Sequence, residues 1–276
     1  MIGRLTTAIF AAFAVIAPAA AQVVAIQNGR VHTMGPAGVI ENGDVIVRNG
    51  VIVQAGVDLP APEGATVVDA AGRVVTPGLF APWSQIGLME ISQDTASNDS
   101  TARDFALSAA LDALDAYNPH STVMAVSRDG GVTRALAAPQ PGSKLFAGKA
   151  AVVDLSGRIG SVTKPQAAQT VALGSSGAGR AGGTRMGAVA SLREHLDEAI
   201  SYAANPRDYV LRNRDQRFAI PDLKALGPVV SGEQPLIVQV HSASDIRTLI
   251  TVSRSSFTAA PRRGARRARS PPPTFR

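Results

Sequence analysis

The sequence predicts an α/β protein in two parts: a small β-rich segment, then strands alternating with helices in a parallel sheet or an α/β barrel. Three observations carry that expectation. Asn-Gly pairs punctuate β-branched runs up to residue 76, and the chain then breaks sharply at Pro77-Gly78. Beyond that break, leucines at helical spacing separate short apolar runs.

A chain of 276 residues holds one large domain or two of ordinary size. Its hydrophobic fraction of 45% supports a real core, and an aromatic fraction of only 4% means that small aliphatic side chains must build it. There is no cysteine, which excludes disulfides, Cys-ligated zinc, a thiol nucleophile and a lipid anchor on an N-terminal cysteine.

Residues 1–21 have the layout of a secretory signal peptide. Arg4 gives the positive start, Leu5 to Ile16 the apolar stretch, and Ala19-Ala20-Ala21 the small-residue cleavage site before Gln22. The competing reading is an uncleaved anchor. The uncharged run to Ala21 is marginal against the roughly 20 residues a span needs, so cleavage is expected. The mature chain is then expected in the periplasm, with no transmembrane span.

Residues 22–76 read as a small β-domain. The segment "VVAIQNGRVHT" pivots on Asn28-Gly29, and "NGDVIVRNGVIVQAG" contains Asn42-Gly43 and Asn49-Gly50. Asn-Gly supplies the positive φ angles of two-residue hairpin turns. Val45 and Val47 alternate with Asp44, Ile46 and Arg48, a pattern suited to a small sandwich. At about 55 residues such a domain needs a partner surface.

From residue 77 to 250 the rhythm is that of α/β units. "LFAPWSQIGL" is the first strand and its exit; Leu107, Leu111 and Leu114 mark a helix that Asn118-Pro119 ends. "STVMAVSRDGGVTRALAAP" holds an apolar segment, a Gly130-Gly131 turn and a second strand. Val189, Leu192, Leu196 and Ile200 mark an amphipathic helix stopped by Asn205-Pro206, and "QPLIVQVHSASDIRTLI" is a strand reaching His241 and opening a helix. The glycine-rich "GSSGAGRAGGTRMG" (174–187) lacks the Gly-Lys-Ser/Thr of a phosphate loop and shows no clear strand leading into it. It reads as a flexible loop over a barrel mouth.

The β-rich segment, then "ATVVDAAGRVVTPGLF", then the α/β units together resemble the amidohydrolase superfamily, most closely its exported imidazolonepropionase-like members. That resemblance implies an α/β fold in which a small β-sandwich precedes a metal-dependent-hydrolase (β/α)8, or TIM-like, barrel. It implies hydrolysis of carbon–nitrogen bonds in cyclic or linear amides, with zinc or another divalent metal as cofactor. The family's first strand reads Pro-Gly-apolar-apolar-Asp-x-His-x-His. Pro77, Gly78, Leu79 and Phe80 match it, Ala81 takes the Asp position, and Trp83 and Gln85 take the two His positions. "GGVTRALAAP" is similar to the second strand and "PLIVQVHSASDI" to the fifth, where His241 matches a metal ligand.

In such a strand, alternate residues point to one side, so two imidazoles converge at the barrel's C-terminal mouth. Metal held there lowers the pKa of bound water to about 7. Indole has no lone pair to offer, and an amide carbonyl is a weak ligand better suited to hard cations. Catalytic zinc takes about three protein ligands, so His241 alone is at most a degenerate single ligand, and no cofactor is expected in this form. Trp83, Gln85 and Glu90 are instead expected to line a pocket at the mouth, open to a small-molecule ligand. His32, His120 and His195 read as solvated or structural.

Residues 251–276 change character. Up to residue 250 the chain carries 20 Lys and Arg against 21 Asp and Glu; the rest holds seven Arg and no acid. This basic tail, with Pro271-Pro272-Pro273 and no apolar periodicity, is expected to be disordered and out of frame, the barrel ending after about five of its eight strands. The expected function is therefore that of a hydrolase by resemblance, inactive in this form. The alternatives are a non-catalytic periplasmic binding module at the Trp83/Gln85 mouth, or association of the basic tail with anionic surfaces. No nucleic-acid partner is expected of an exported protein.

Overall fold

The structure is a computed structural model, and it describes residues 22–103, 105–212 and 218–258, with the side chains of 254–258 left aside. The expected signal segment and residues 259–276 of the expected tail lie outside the described residues. The chain divides between Pro77 and Gly78 into two compact units.

The first unit is a single mixed sheet. Its strands are β1 (Val23–His32), β2 (Val39–Arg48), β3 (Val51–Val57), β4 (Thr66–Asp69) and β5 (Val74–Val75). They follow the order β3-β2-β1-β4, with β5 also on β1. β1, β2 and β3 pair antiparallel, while β4 and β5 run parallel to β1. No second layer faces it among the described residues of this unit, so the expected sandwich is one sheet here.

Only one of the three Asn-Gly pairs is a hairpin turn. Asn49 (φ 52) and Gly50 (φ 77) take the two successive positive φ values of a type I′ turn and join β2 to β3. Asn28 (φ 59) and Asn42 (φ 49) also adopt left-handed backbone, but inside β1 and β2, where the register slips and Gly29 faces Gly43. These are bulges. A buried acid fixes the first: the Asp44 carboxylate accepts Asn28 N–H at 3.0 Å and Leu59 N–H at 2.8 Å. A core of Val23, Ala25 and Ile46 packs beside it. β3 is an edge strand without a charged residue, and its Val51, Ile52 and Val53 are exposed.

The second unit is a curled, incomplete barrel sheet. Its strands, in spatial as in chain order, are β6 (Leu79–Ser84), β7 (Val132–Ala137), β8 (Phe146–Asp154), β9 (Val162–Ala172) and β10 (Leu236–Gln239). Gly78 is required where it stands because a Cβ there would overlap the Thr133 side chain on the neighbouring strand. The helices are α1 (Thr122–Asp129), α2 (Gly174–Ala178), α3 (Arg185–Ala204), α4 (Pro206–Arg212), α5 (Ile220–Val230) and α6 (Ala243–Thr258). α6 carries helix past residue 250, into the stretch expected to be disordered.

Two strands escape the sequence reading, and one of them changes the topology. β8 runs antiparallel to both β7 and β9, whereas β6–β7 and β9–β10 pair parallel. The strand ending before His241 is thus the fifth in the sheet but only the fourth of those sharing a direction. The sheet is mixed, not all-parallel.

The helix expected around Leu107, Leu111 and Leu114 does not form; a 3-10 turn at Ala113–Asp115 follows an irregular stretch instead. The cause is Asp222, near the start of α5 and almost fully buried. Its carboxylate accepts Ser108 N–H at 3.0 and 3.1 Å, Ser108 O–H at 3.0 Å and Ala110 N–H at 2.7 Å. Gln169 on β9 adds a hydrogen bond to the Ala109 carbonyl, and Lys149 N–H on β8 donates to that of Leu111. Backbone groups that an α-helix needs are committed to neighbouring elements.

The expected amphipathic helix is α3. Leu192 and Leu196 are buried against Leu223 and Leu226 of α5, Val252 of α6 and Phe146 and Val171 of the sheet. Thr184 caps its start by accepting Gly187 N–H. His195 is not solvated: its ring lies between Phe146 and Phe218, centroids 5.3 and 4.1 Å away, and Nδ1–H donates to the Ser191 carbonyl at 2.6 Å. Burial pushes its pKa below the usual imidazole value; the Ser191 bond and the Glu194 and Asp222 charges oppose that, and Lys144 reinforces it. Elsewhere in this core Tyr209 O–H donates to Glu198, and burial raises the phenol to about 12.

Two outcomes follow from this packing. Asp222→Ala leaves buried donors unpaired, so we expect the unfolding free energy to fall by about 2–4 kcal/mol in urea titrations; a change below about 0.5 kcal/mol, the range of ordinary surface substitutions, contradicts the assigned role. His195 has a folded pKa below its unfolded one, so the unfolded chain binds the extra proton between the two values. Stability from the neutral ring is complete above the ordinary imidazole value of 6.5 and declines as pH falls through the folded pKa. Urea midpoints at pH 7.5 and 5.0 should therefore separate less in His195→Phe than in the native chain; equal separations contradict it.

Candidate functional site

β6 delivers Trp83 and Gln85 to the end of the sheet, but not as an open pocket floor. The β6–β7 register shifts between Ala81 and Ser84. The Trp83 ring packs against an apolar cluster of Leu136, Ala138, Ala150 and Ala167, on which Val152 and Ile237 also pack. All five strands contribute to that cluster. Ala81, by contrast, joins the helix side with Met124 of α1, Ala135 and Val153.

Gln85 sits in the turn that leaves β6. Its carbonyl accepts Leu88 N–H at 2.8 Å and Met89 N–H at 3.1 Å, and Ser84 Oγ accepts Ile86 N–H at 3.1 Å. Its side-chain Nε2 is buried with no acceptor among the described residues. Leaving such a donor unpaired costs about 1–3 kcal/mol, so this amide has unmet demand.

Glu90 does not stand free at the mouth. Its Oε2 accepts the Thr122 N–H at 3.2 Å and the Thr122 hydroxyl at 3.0 Å, so it caps the start of α1. His241 follows β10 and is exposed. The residues after it serve the next helix: Ser242 O–H donates to Asp245 Oδ2 at 2.7 Å and Ser242 Oγ accepts Asp245 N–H at 3.1 Å. Arg185 at the start of α3 pairs with Asp245 at 3.5 Å. His32 lies in β1, in the other unit, and His120 is an exposed turn residue whose N–H donates to Asn118.

The glycine-rich stretch departs from its expectation. β9 leads directly into it, and it forms α2 and a series of turns. Arg180 anchors it: Nε donates to the Gly142 carbonyl at 2.7 Å, Nη2 to that of Pro141 at 2.9 Å, and Nη1 to that of Ser176. Of the two basic side chains in this stretch, Arg180 is spent on carbonyls and Arg185 pairs with Asp245.

The donor set at the strand ends does not suit a divalent metal. It consists of an indole embedded in apolar contacts, one amide, a carboxylate committed to a helix cap and a single exposed imidazole. Among the described residues no group of three or more His, Asp or Glu side chains converges in a way that holds a metal ion. No helix among them is long and apolar enough to cross a membrane.

No protein-family model matches the chain. A dihydroorotase of Geobacter sulfurreducens is 53% identical over 55 residues, 20% of this chain and 13% of that protein. A dihydroorotase of Citrifermentans bemidjiense is 46% identical over 55 residues, again 13% of its length. An amidohydrolase from Thermotoga maritima superposes with a TM-score of 0.67 at 21% identity, covering 84% of this chain and 62% of that one. The chain thus spans a small share of the dihydroorotases it matches and under two thirds of the solved structure. The stretch of high identity, together with an incomplete barrel fold shared over most of the chain, relates this protein to the amidohydrolase superfamily.

Proposed function

We propose that this chain is an amidohydrolase relative that does not hydrolyse amides in this form. By descent the reaction is cleavage of a carbon–nitrogen bond in a cyclic or linear amide. The observation that supports inactivity is the position of Trp83. The side chain that the resemblance aligns with the first metal-binding imidazole is packed into the apolar face of the sheet. It has no lone pair to offer, and its ring packs against an apolar cluster to which the other strands contribute. Gln85 at the second position supplies one amide, and His241 has no second imidazole beside it. Since these residues do not fit a metal, no reaction step is assigned to one.

The same geometry argues against simple restoration. Converting Trp83 to histidine removes a half-buried ring from the cluster that all five strands share, at a cost of about 1–3 kcal/mol. It also supplies no general acid or base, a function typically worth ~10²–10⁴-fold in rate. We expect the purified native chain to retain well under one equivalent of zinc, manganese or iron after dialysis. The Trp83→His/Gln85→His variant should bind more metal and melt at a lower temperature, without measurable hydrolysis of cyclic amides or dipeptides. Stoichiometric metal in the native chain that is lost in His241→Ala, or turnover by the double variant, rules the proposal out.

Export is part of this reading, motivated by Arg4, the Leu5–Ile16 run and Ala19-Ala20-Ala21. Intact-mass measurement of periplasmic extract should find a mature N-terminus at Gln22. Recovery only of chains retaining Met1 in the membrane fraction argues for an anchor instead.

A further inference from the structure

The second unit holds a cavity of about 530 Å³ at the other end of the sheet. It opens where β9 enters, at Pro165 and Gln166, and where Glu233 and Gln234 precede β10; α5 forms its far wall. Trp83, Gln85 and His241 lie at the opposite ends of their strands. The volume falls within the roughly 300–1,000 Å³ typical of small-ligand pockets.

Its charged groups are balanced. Lys149 and Lys224 supply two cations. Glu233 is an exposed carboxylate, and Asp112 stands 3.4 Å from Lys149 Nζ. The Asp112 oxygen facing Lys149 also accepts Gln166 Nε2 at 2.8 Å, so its charge is shared. With Lys149 offset by Asp112, Lys224 and Glu233 leave the cavity one charge of each sign, which disfavours a ligand of large net charge and suits one that carries both signs.

Two further observations mark the place. Gln166 holds φ at +45 inside a strand, a conformation that a non-glycine residue keeps only when its surroundings impose it. Its carbonyl accepts Gln234 Nε2 at 2.7 Å, which fixes the buried Gln234 amide and leaves Oε1 without a donor among the described residues. That bond holds the segment carrying Glu233 against β9 at the cavity wall. Pro165, Pro221 and Pro228 give that wall rigid apolar surface, so little ordering is needed to receive a ligand.

We propose that this cavity binds a small zwitterion, a free amino acid or dipeptide with an apolar side chain. Its carboxylate pairs with Lys224, its ammonium with Glu233, and its side chain lies on the prolines. This site is independent of the strand-end residues and of any hydrolysis there.

Calorimetric titration of the full chain with L-leucine and L-leucyl-L-leucine tests it, with N-acetyl-L-leucine and L-leucinamide as controls lacking one charge each. At least one zwitterion should bind saturably, and each control should bind about tenfold or more weakly by comparison. Lys224→Ala and Glu233→Gln, both at exposed positions and so expected to keep the native circular dichroism, should each weaken binding about tenfold. The proposal is overturned by absence of saturable binding at ~10 mM, weaker than the millimolar affinity sought. Equal affinity for the capped controls, or full binding in both variants, overturns it as well.

Discussion

The Asp222 carboxylate is the constraint on which the second unit turns. A buried acid is tolerated only when its oxygens are filled with donors, and here Ser108 and Ala110 fill them with two backbone amides and a hydroxyl. That requirement pulls residues 108–112 out of any helix and onto the sheet. Gln169 and Lys149 then take up the Ala109 and Leu111 carbonyls. One side chain thereby ties α5 to β8 and β9. It also sets Ala110 and Asp112 beside Lys149 and Gln166, which is how the cavity acquires its wall.

What was legible in the sequence was local. α3 followed from Val189, Leu192, Leu196 and Ile200, because a periodic apolar stripe survives whatever it packs against. The break at Pro77-Gly78 was equally clear, and the structure adds why residue 78 is glycine, since the Thr133 side chain leaves no room for a Cβ. What was not legible depended on partners distant in the chain. Leu107, Leu111 and Leu114 have helical spacing, but the groups that deny them a helix lie 38 to 114 residues away in the chain, Asp222 the farthest. Asn-Gly pairs specify positive φ; whether that angle makes a turn or a bulge depends on whether pairing continues beyond it, as it does past Asn28 and Asn42 but not past Asn49.

The candidate sites divide in the same way. Trp83 and Gln85 stood out because a resemblance gave them positions, yet their environment could not be read: a half-buried ring among alanines and valines has no sequence signature. Glu90 and Asp245 illustrate a general economy, since acids near strand ends are readily taken up by the helix starts that follow. Lys149, Lys224, Glu233 and Gln234 carry no motif at all. Only the approach of β8, α5 and the β10 entry brings them together.

The reversed direction of β8 has a kinetic meaning. An antiparallel β8–β9 pair closes across residues 155–161, whereas the parallel β9–β10 pair must close across residues 173–235, a connection about nine times longer. Loop-closure entropy grows with the logarithm of length, so the longer closure costs about 2 kcal/mol more. Hairpins form in roughly 1–10 μs, and pairings of high sequence separation come later. A lone antiparallel strand in the middle of the sheet gives the chain a local seed. The sheet can then assemble outward from its centre, with the parallel neighbours docking on strands that are already paired.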